Sequence, residues 1–314
     1  MGIVNVTPDS FWEPSRAFSP DAAVRRVRAM LEQGADIIDI GAVSTRPGAA
    51  PVQVSEEWAR LSPVLTALVR EGICTEISDG GSTEVGDSEH TEISDGERRT
   101  AWPRISIDTT SAEIVRRCYE TIGRFLVNDI SAGEDDPDML PTVGGLGLPF
   151  VAMHKRGGPV SMDTLCDYPQ GVVPALLEYF RDFDVRAGRF GIRDWVLDPG
   201  LGFAKTSEQC WEILRRLPEL RVLGRPILIG AADKRFTHNI PDWVEPMLRN
   251  GSGAEDGTTA ENGTGAENGT EGAHRLAIAG GADILRVHDV GRLKMSVRYE
   301  AKKDGPERGV QVTE

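Results

Sequence analysis

Eight times along this 314-residue chain a short apolar run ends in a turn and gives way to a helix-forming pattern, and most of those ends carry a polar side chain. The clearest instance is Val196-Leu197-Asp198-Pro199-Gly200-Leu201-Gly202-Phe203-Ala204-Lys205, where a strand signature beginning at Trp195 halts at an acid and Ser207-Glu208-Gln209 opens a helix. One such acid is explained equally well by capping the next turn or by meeting a ligand. The recurrence is what constrains the fold. Strands apolar along both faces belong to a covered parallel sheet, and parallel neighbours require a crossover, usually a helix.

The strand signatures cover 2–6, 37–40, 104–108, 125–130, 150–154, 195–198, 226–230 and 284–288. Ser19-Pro20 reads as an N-cap with proline at the first helical position, and Ala23, Val24, Val27, Met30 and Leu31 then trace one buried face up to Gly34. Ser55 is expected to cap a second helix carrying Trp58, Leu61, Val64, Leu65 and Leu68. Further helices are expected over 111–122, 137–143, within 171–190, over 207–217 and 273–279, and from about 291. Eight evenly spaced β/α units predict an α/β fold, a closed (β/α)8 TIM barrel rather than a six-stranded doubly wound sheet.

Charge narrows the partners. Residues 71–100 carry a net charge of −7 and residues 251–272 a net of −5, so the rest of the chain holds only two units of the formal −14. The acids belong to two low-complexity insertions rather than to the body. Thr75-Glu76-Ile77-Ser78-Asp79-Gly80 recurs as Thr91-Glu92-Ile93-Ser94-Asp95-Gly96, and the second insertion repeats Glu-Asn-Gly-Thr. The expected organisation is one barrel domain over 1–314, interrupted by disordered insertions at 73–100 and 250–272 and ending in a polar tail, 303–314. A body without a basic patch excludes nucleic acid, and no apolar stretch is long enough for a membrane span. Four scattered cysteines (Cys74, Cys118, Cys166, Cys210) and no secretory leader lead to the expectation of a reduced, cytoplasmic protein.

Asn5, Asp108, Asn128, His154, Asp198, Lys234, Arg286 and His288 all fall at or just past strand C-termini. That end of a (β/α)8 barrel carries the chemistry. Each residue alone has a bland reading as a turn former or a satisfied core polar group; together on one rim they predict a site. Asp108, Asn128 and Asp198 offer acceptors to a flat, donor-rich ring, because a buried carboxylate pairs well with a guanidine-like edge. Lys234 and Arg286 add positive charge where such barrels hold phosphate. Closure would bring Asn5 of strand one beside His288 of strand eight. A donor-rich heterocycle bearing a phosphorylated group fits this rim.

The motifs Asn5-Val6-Thr7-Pro8-Asp9-Ser10-Phe11, Ser44-Thr45-Arg46-Pro47-Gly48, Ser106-Ile107-Asp108-Thr109, Val127-Asn128-Asp129-Ile130, Leu197-Asp198-Pro199-Gly200-Leu201-Gly202-Phe203 and Ile284-Leu285-Arg286-Val287-His288-Asp289-Val290 resemble the dihydropteroate synthase family, in the family's order. The resemblance implies condensation of 6-hydroxymethyl-7,8-dihydropterin diphosphate with p-aminobenzoate, with Mg2+ and release of pyrophosphate. It implies that Asp108, Asn128, Asp198 and Lys234 hold the pterin, with Arg286 stacked on it. Asn5, Arg286 and His288 would hold the diphosphate, Asn5 reaching the metal. Asp9, Phe11, Thr45, Arg46, Pro47, Phe203 and Lys234 would surround p-aminobenzoate. Asp108, Asp198, Lys234 and Arg286 would carry catalysis. A homodimer is what the family's barrels lead one to expect.

Two departures stand out. The family's Ser-Arg-Lys after strand seven reads Ala232-Asp233-Lys234, and Gly41-Ala42-Val43 replaces the Gly-Gly-Glu of many members. Two alternatives follow: a pterin-binding paralogue without synthase activity, or a pterin-dependent methyltransferase on the same barrel. The first-loop motif and Ser44-Thr45-Arg46-Pro47-Gly48 argue against the methyltransferase.

Overall fold

The computed structural model describes residues 1–7, 19–44, 52–74, 102–158, 161–232, 234–244 and 265–294. Strands β1 (Gly2–Asn5), β2 (Ile38–Gly41), β3 (Ile105–Asp108), β4 (Leu126–Asp129), β5 (Phe150–Met153) and β6 (Trp195–Asp198) form one parallel sheet in sequential order, and β7 (Leu228–Ile229) pairs with β8 (Ile284–Leu285). Parallel bridges Leu197↔Ile227 and Gly2↔Val287 join the two sheets at both seams. The Val287 amide donates to the Met1 carbonyl at 3.0 Å and the Ile3 amide to the Val287 carbonyl at 2.9 Å. The ring is therefore closed, as the eight-unit pattern predicted. Ladder pairing covers only Leu228–Ile229 of the run expected over 226–230 and only the first two residues of that expected over 284–288.

Alternation sorts each strand into two rows. The outward row (Val4, Ile38, Ile40, Ile107, Val127, Phe150, Leu197, Ile229) joins the helices in the main core. The inward row begins with a separate apolar cluster of Met1, Ile37, Leu126, Val151, Val196, Leu228 and Ile284. This cluster is the barrel floor. One layer further, the register Ile3↔Asp39↔Ser106 crosses three strands, and above it Asn5↔Gly41↔Asp108↔Asn128 crosses four. The inward row thus passes from hydrocarbon to polar groups at the C-terminal end.

Helices α1 (Pro20–Glu32), α2 (Val54–Arg70), α3 (Ala112–Ile122), α4 (Met139–Gly145), α5 (Val172–Arg189), α6 (Ser207–Arg215), α7 (Leu217–Leu220) and α8 (Gly265–Ala279) surround the strands. The Ser19 hydroxyl accepts from the Ala22 amide, as the Ser-Pro start predicted, and Thr206 with Gln209 completes a capping box on α6. Ser55 does not cap α2. The cap is Gln53, whose carbonyl accepts from both Glu56 and Glu57, so Ser55 lies in the first turn.

The larger correction concerns α8, which begins at Gly265 rather than Ala273, so residues 265–272 of the second insertion are helical. Their glycine-rich composition disfavours a helix, but packing overrides propensity. A Cβ on Gly269 would lie 1.8 Å from the Thr237 carbonyl oxygen, so glycine lets the helix seat against the Arg235–His238 turn. The first insertion, its repeat and the 303–314 tail lie outside the described residues. All four cysteines are free, and no described helix is long and apolar enough to cross a membrane.

Candidate active site

At the barrel mouth Arg286, one residue past β8, reaches across the opening to two acids. Its Nε donates to Asp39 Oδ2 at 2.7 Å, and one Nη donates to Asp108 Oδ2 at 2.7 Å while lying in an ion pair 2.6 Å from Asp39 Oδ2. Asn128 Nδ2 adds a 3.1 Å bond to Asp39 Oδ2. Asp39 is fully buried, and its Oδ1 has no partner among the described residues; neither has Ser106 Oγ in the same layer. Gly41 packs closely on Asp108, where a Cβ would sit 3.1 Å from Asp108 Cβ, and Gly230 faces Arg286, where a Cβ would sit 3.9 Å from Arg286 Cβ.

One guanidinium thus serves two carboxylates, leaving an excess of negative charge in a dry site. Burial pushes the Asp108 carboxyl up to about 7, against the pull of Arg286 and with the help of Asp39. The same two acids hold the Arg286 guanidinium well above its ordinary range despite burial. Burial also raises Asp198, opposed by Lys234 and by the Gly200 amide, which donates to Asp198 Oδ1 at 2.8 Å. That contact leaves Oδ2 of Asp198 as a second acceptor edge.

Lys234 donates to the Leu201 carbonyl at 2.6 Å and its Nζ lies 5.0 Å from the Phe203 ring centre. Burial lowers its pKa, opposed by Asp198. Lys234 therefore ties the segment after β6 to the one after β7. Ala232 is half-buried nearby, whereas Asp233 lies outside the described residues. Asn5 and His288 stand half-buried on β1 and just past β8, strands made neighbours by the Gly2↔Val287 bridge. Of the p-aminobenzoate set, Asp9, Phe11, Thr45, Arg46 and Pro47 lie outside the described residues.

One rim expectation is overturned. His154 does not join the mouth, because the residue after Met153 belongs to the outward row. Its ring packs edge-on to Tyr179 of α5 at 4.8 Å, and Nδ1 lies 2.9 Å from Lys205 Nζ. It helps line a groove of about 710 Å³ outside the barrel wall, where Lys155 pairs with Asp135 at 2.5 Å and Tyr179 with Glu134 at 2.8 Å. Asp129, next to Asn128, also turns outward. Its carboxylate accepts from the Ser131 amide and hydroxyl, each at 2.7 Å, and from the Gly133 amide at 2.8 Å, fixing the turn after β4.

Sequence reasoning passed over Asp39. The signal was present: an acid inside an otherwise apolar strand, two residues from a glycine in the same inward row. It also passed over Lys205, which burial lowers to about 7.

The fold is a closed (β/α)8 barrel with an acid-paired arginine across its mouth, and residues 1–85 and 92–288 match the family described as pterin binding enzyme. A dihydropteroate synthase of Synechocystis is 37% identical over 92% of this chain and 84% of its own length. The chain therefore belongs to the dihydropteroate synthase family. Two crystal structures of the Xanthomonas albilineans dihydropteroate synthase are similar throughout. The complex with 4-aminobenzoic acid has a TM-score of 0.71 at 30% identity, covering 97% of this chain and 93% of that one. The complex with 7,8-dihydropteroate has a TM-score of 0.68 at 27% identity, covering 97% and 92%.

Proposed function

We propose that this mouth condenses 6-hydroxymethyl-7,8-dihydropterin diphosphate with p-aminobenzoate, giving 7,8-dihydropteroate and pyrophosphate. The observation that carries the reading is the Asp39–Arg286–Asp108 cluster with Asn128 at the barrel mouth. The bond from the pterin methylene carbon to the diphosphate oxygen breaks, and the arylamine nitrogen bonds that carbon and loses a proton. Positive charge grows on the pterin while negative charge leaves. Asp108 and Asp198 face the growing cation, and preorganised charges of this kind act strongly in a water-excluded site. The free Oδ2 of Asp198 and the Asn128 amide oxygen suit the donor-rich pterin edge.

Arg286 keeps one Nη without a hydrogen bond among the described residues, directed by its neighbours away from Asp39 and Asp108. With His288 and Asn5 it would receive the diphosphate. Phe203 and Lys234 would form one wall for p-aminobenzoate, completed by Asp9, Phe11, Thr45, Arg46 and Pro47. No nucleophilic side chain is required, since the arylamine is the nucleophile.

A single amide oxygen at the rim suits Mg2+, which keeps several waters and is held by one or two protein groups plus substrate phosphates. Asn5 would be the protein oxygen. Bound there, Mg2+ would neutralise charge on the departing pyrophosphate. A cytoplasmic homodimer completes the reading, checked by sedimentation and by fractionation.

Pyrophosphate release tests the function. Release is expected only with both substrates, and none in the presence of Mg2+ would end this reading. Chelation should abolish release and weaken binding of the pterin diphosphate, yet leave binding of the pterin alcohol unchanged.

A further inference from the structure

Lys205 ends the turn after β6 with only 7% of its surface exposed, and among the described residues it pairs with no carboxylate. Its Nζ instead meets His154 Nδ1 at 2.9 Å, the Phe203 carbonyl at 2.9 Å and the His154 carbonyl at 3.3 Å. An ammonium has three N–H donors and no acceptor, so all three are used. Nδ1 of His154 is then the acceptor and Nε2 carries the ring proton.

We propose that Lys205 is a positioning residue: its saturated ammonium pins the Gly200–Lys205 turn to the end of β5 and so fixes the Phe203 ring beside Lys234 at the mouth. The inference rests on the reading of Phe203 as part of the p-aminobenzoate wall. Four features support it. Ala204, between Phe203 and Lys205, has a φ of +50°, a conformation that L side chains rarely hold without external support. The carbonyl of Ala204 is itself held by the Tyr168 hydroxyl at 3.0 Å, and the Gly202 amide donates to Cys210 Sγ at 3.2 Å. Gly200 approaches the same His154 carbonyl so closely that a Cβ would lie 2.1 Å from its oxygen. Finally, Lys205 contacts His154 and the Phe203 carbonyl, whereas Lys234 and Asp198 meet the same turn at Leu201 and Gly200. Lys205 therefore acts on substrate through Phe203, not by touching it.

A purely structural lysine and a positioning one differ in what their loss changes. Lys205→Met keeps most of the side-chain volume but leaves His154 Nδ1 and two carbonyls without their donor, so a lower melting temperature is expected and KM is compared per folded molecule. Losing a charge-assisted contact that sets Phe203 should raise KM for p-aminobenzoate about tenfold. Affinity for the pterin diphosphate, read by calorimetry, should stay within about twofold. His154→Leu should reproduce that split, and His154→Asn, which retains an acceptor near the Nδ1 position, should restore a KM close to wild type. An unchanged KM in Lys205→Met, a parallel fall of both substrate affinities with the melting temperature, or equal behaviour of the two His154 variants overturns the proposal. A wild-type protein without synthase turnover would instead overturn the functional reading beneath it.

Discussion

The floor and the mouth of this barrel use the same strands, the same inward row and the same alternation, yet they hold opposite chemistry. Below, Leu126, Val151, Val196, Leu228 and Ile284 fill the ring with hydrocarbon. Two positions further along the same strands stand Asn128, Met153, Asp198, Gly230 and Arg286. The lower layer gains its free energy from removing apolar surface from water, about 25 cal/mol per Å². The upper layer buries charges that are under-compensated, with one guanidinium between two acids and an unpartnered Asp39 Oδ1. Such a layer contributes little to stability, and it is tolerable because the closed, well-packed ring beneath holds it rigid.

If that division is right, substitutions in the two layers should move different observables. The largest effect is expected for Arg286→Met. Losing one preorganised electrostatic group costs about 10²–10³ in turnover, and a steady-state pyrophosphate assay that found near-full turnover would break the division at the mouth. Next, Leu126→Ala in the floor should lower unfolding free energy by about 2–5 kcal/mol. Denaturant titration reads that loss, and turnover per folded molecule should be unchanged.

The third test is pH. Asp108 is raised from 3.8 to about 7 in the folded protein, so between those values the folded chain holds a proton that the unfolded chain has lost. Its contribution to stability is therefore complete at low pH and disappears as pH rises through about 7. Denaturant curves should show wild type losing stability relative to Asp108→Asn between pH 5 and pH 8. Parallel curves would show that the mouth carries no such cost. The smallest effect is expected for Gly41→Ala, whose Cβ would press on Asp108 Cβ at 3.1 Å. It should reduce pterin affinity by a few-fold and stability by about 1 kcal/mol or less.

Legibility followed locality. The eight strands, the Ser19-Pro20 start of α1 and the Thr206–Gln209 box of α6 are short-range patterns, and they appeared where the residues placed them. The start of α8 did not, because Gly265-Ala266-Glu267-Asn268-Gly269 is a poor helix former that becomes helical only where Gly269 meets Thr237. Within the site, Asp108, Asn128, Asp198, Lys234 and Arg286 were legible as strand-end polar residues. His154 obeyed the same rule and still faced outward, since one residue of register sends a side chain to the other side of a strand.

From the residues alone came the number of units and the closed barrel, which follow from hydrophobic period and turn chemistry acting over a few residues, and, through the resemblance of six motifs, the family to which the chain belongs. Tertiary structure decided which acid meets Arg286: Asp39, a mid-strand carboxylate 247 positions away in sequence. It also decided that Lys205 and His154 satisfy each other behind the wall. Both outcomes depend on the stagger between distant strands, and no local pattern encodes that stagger.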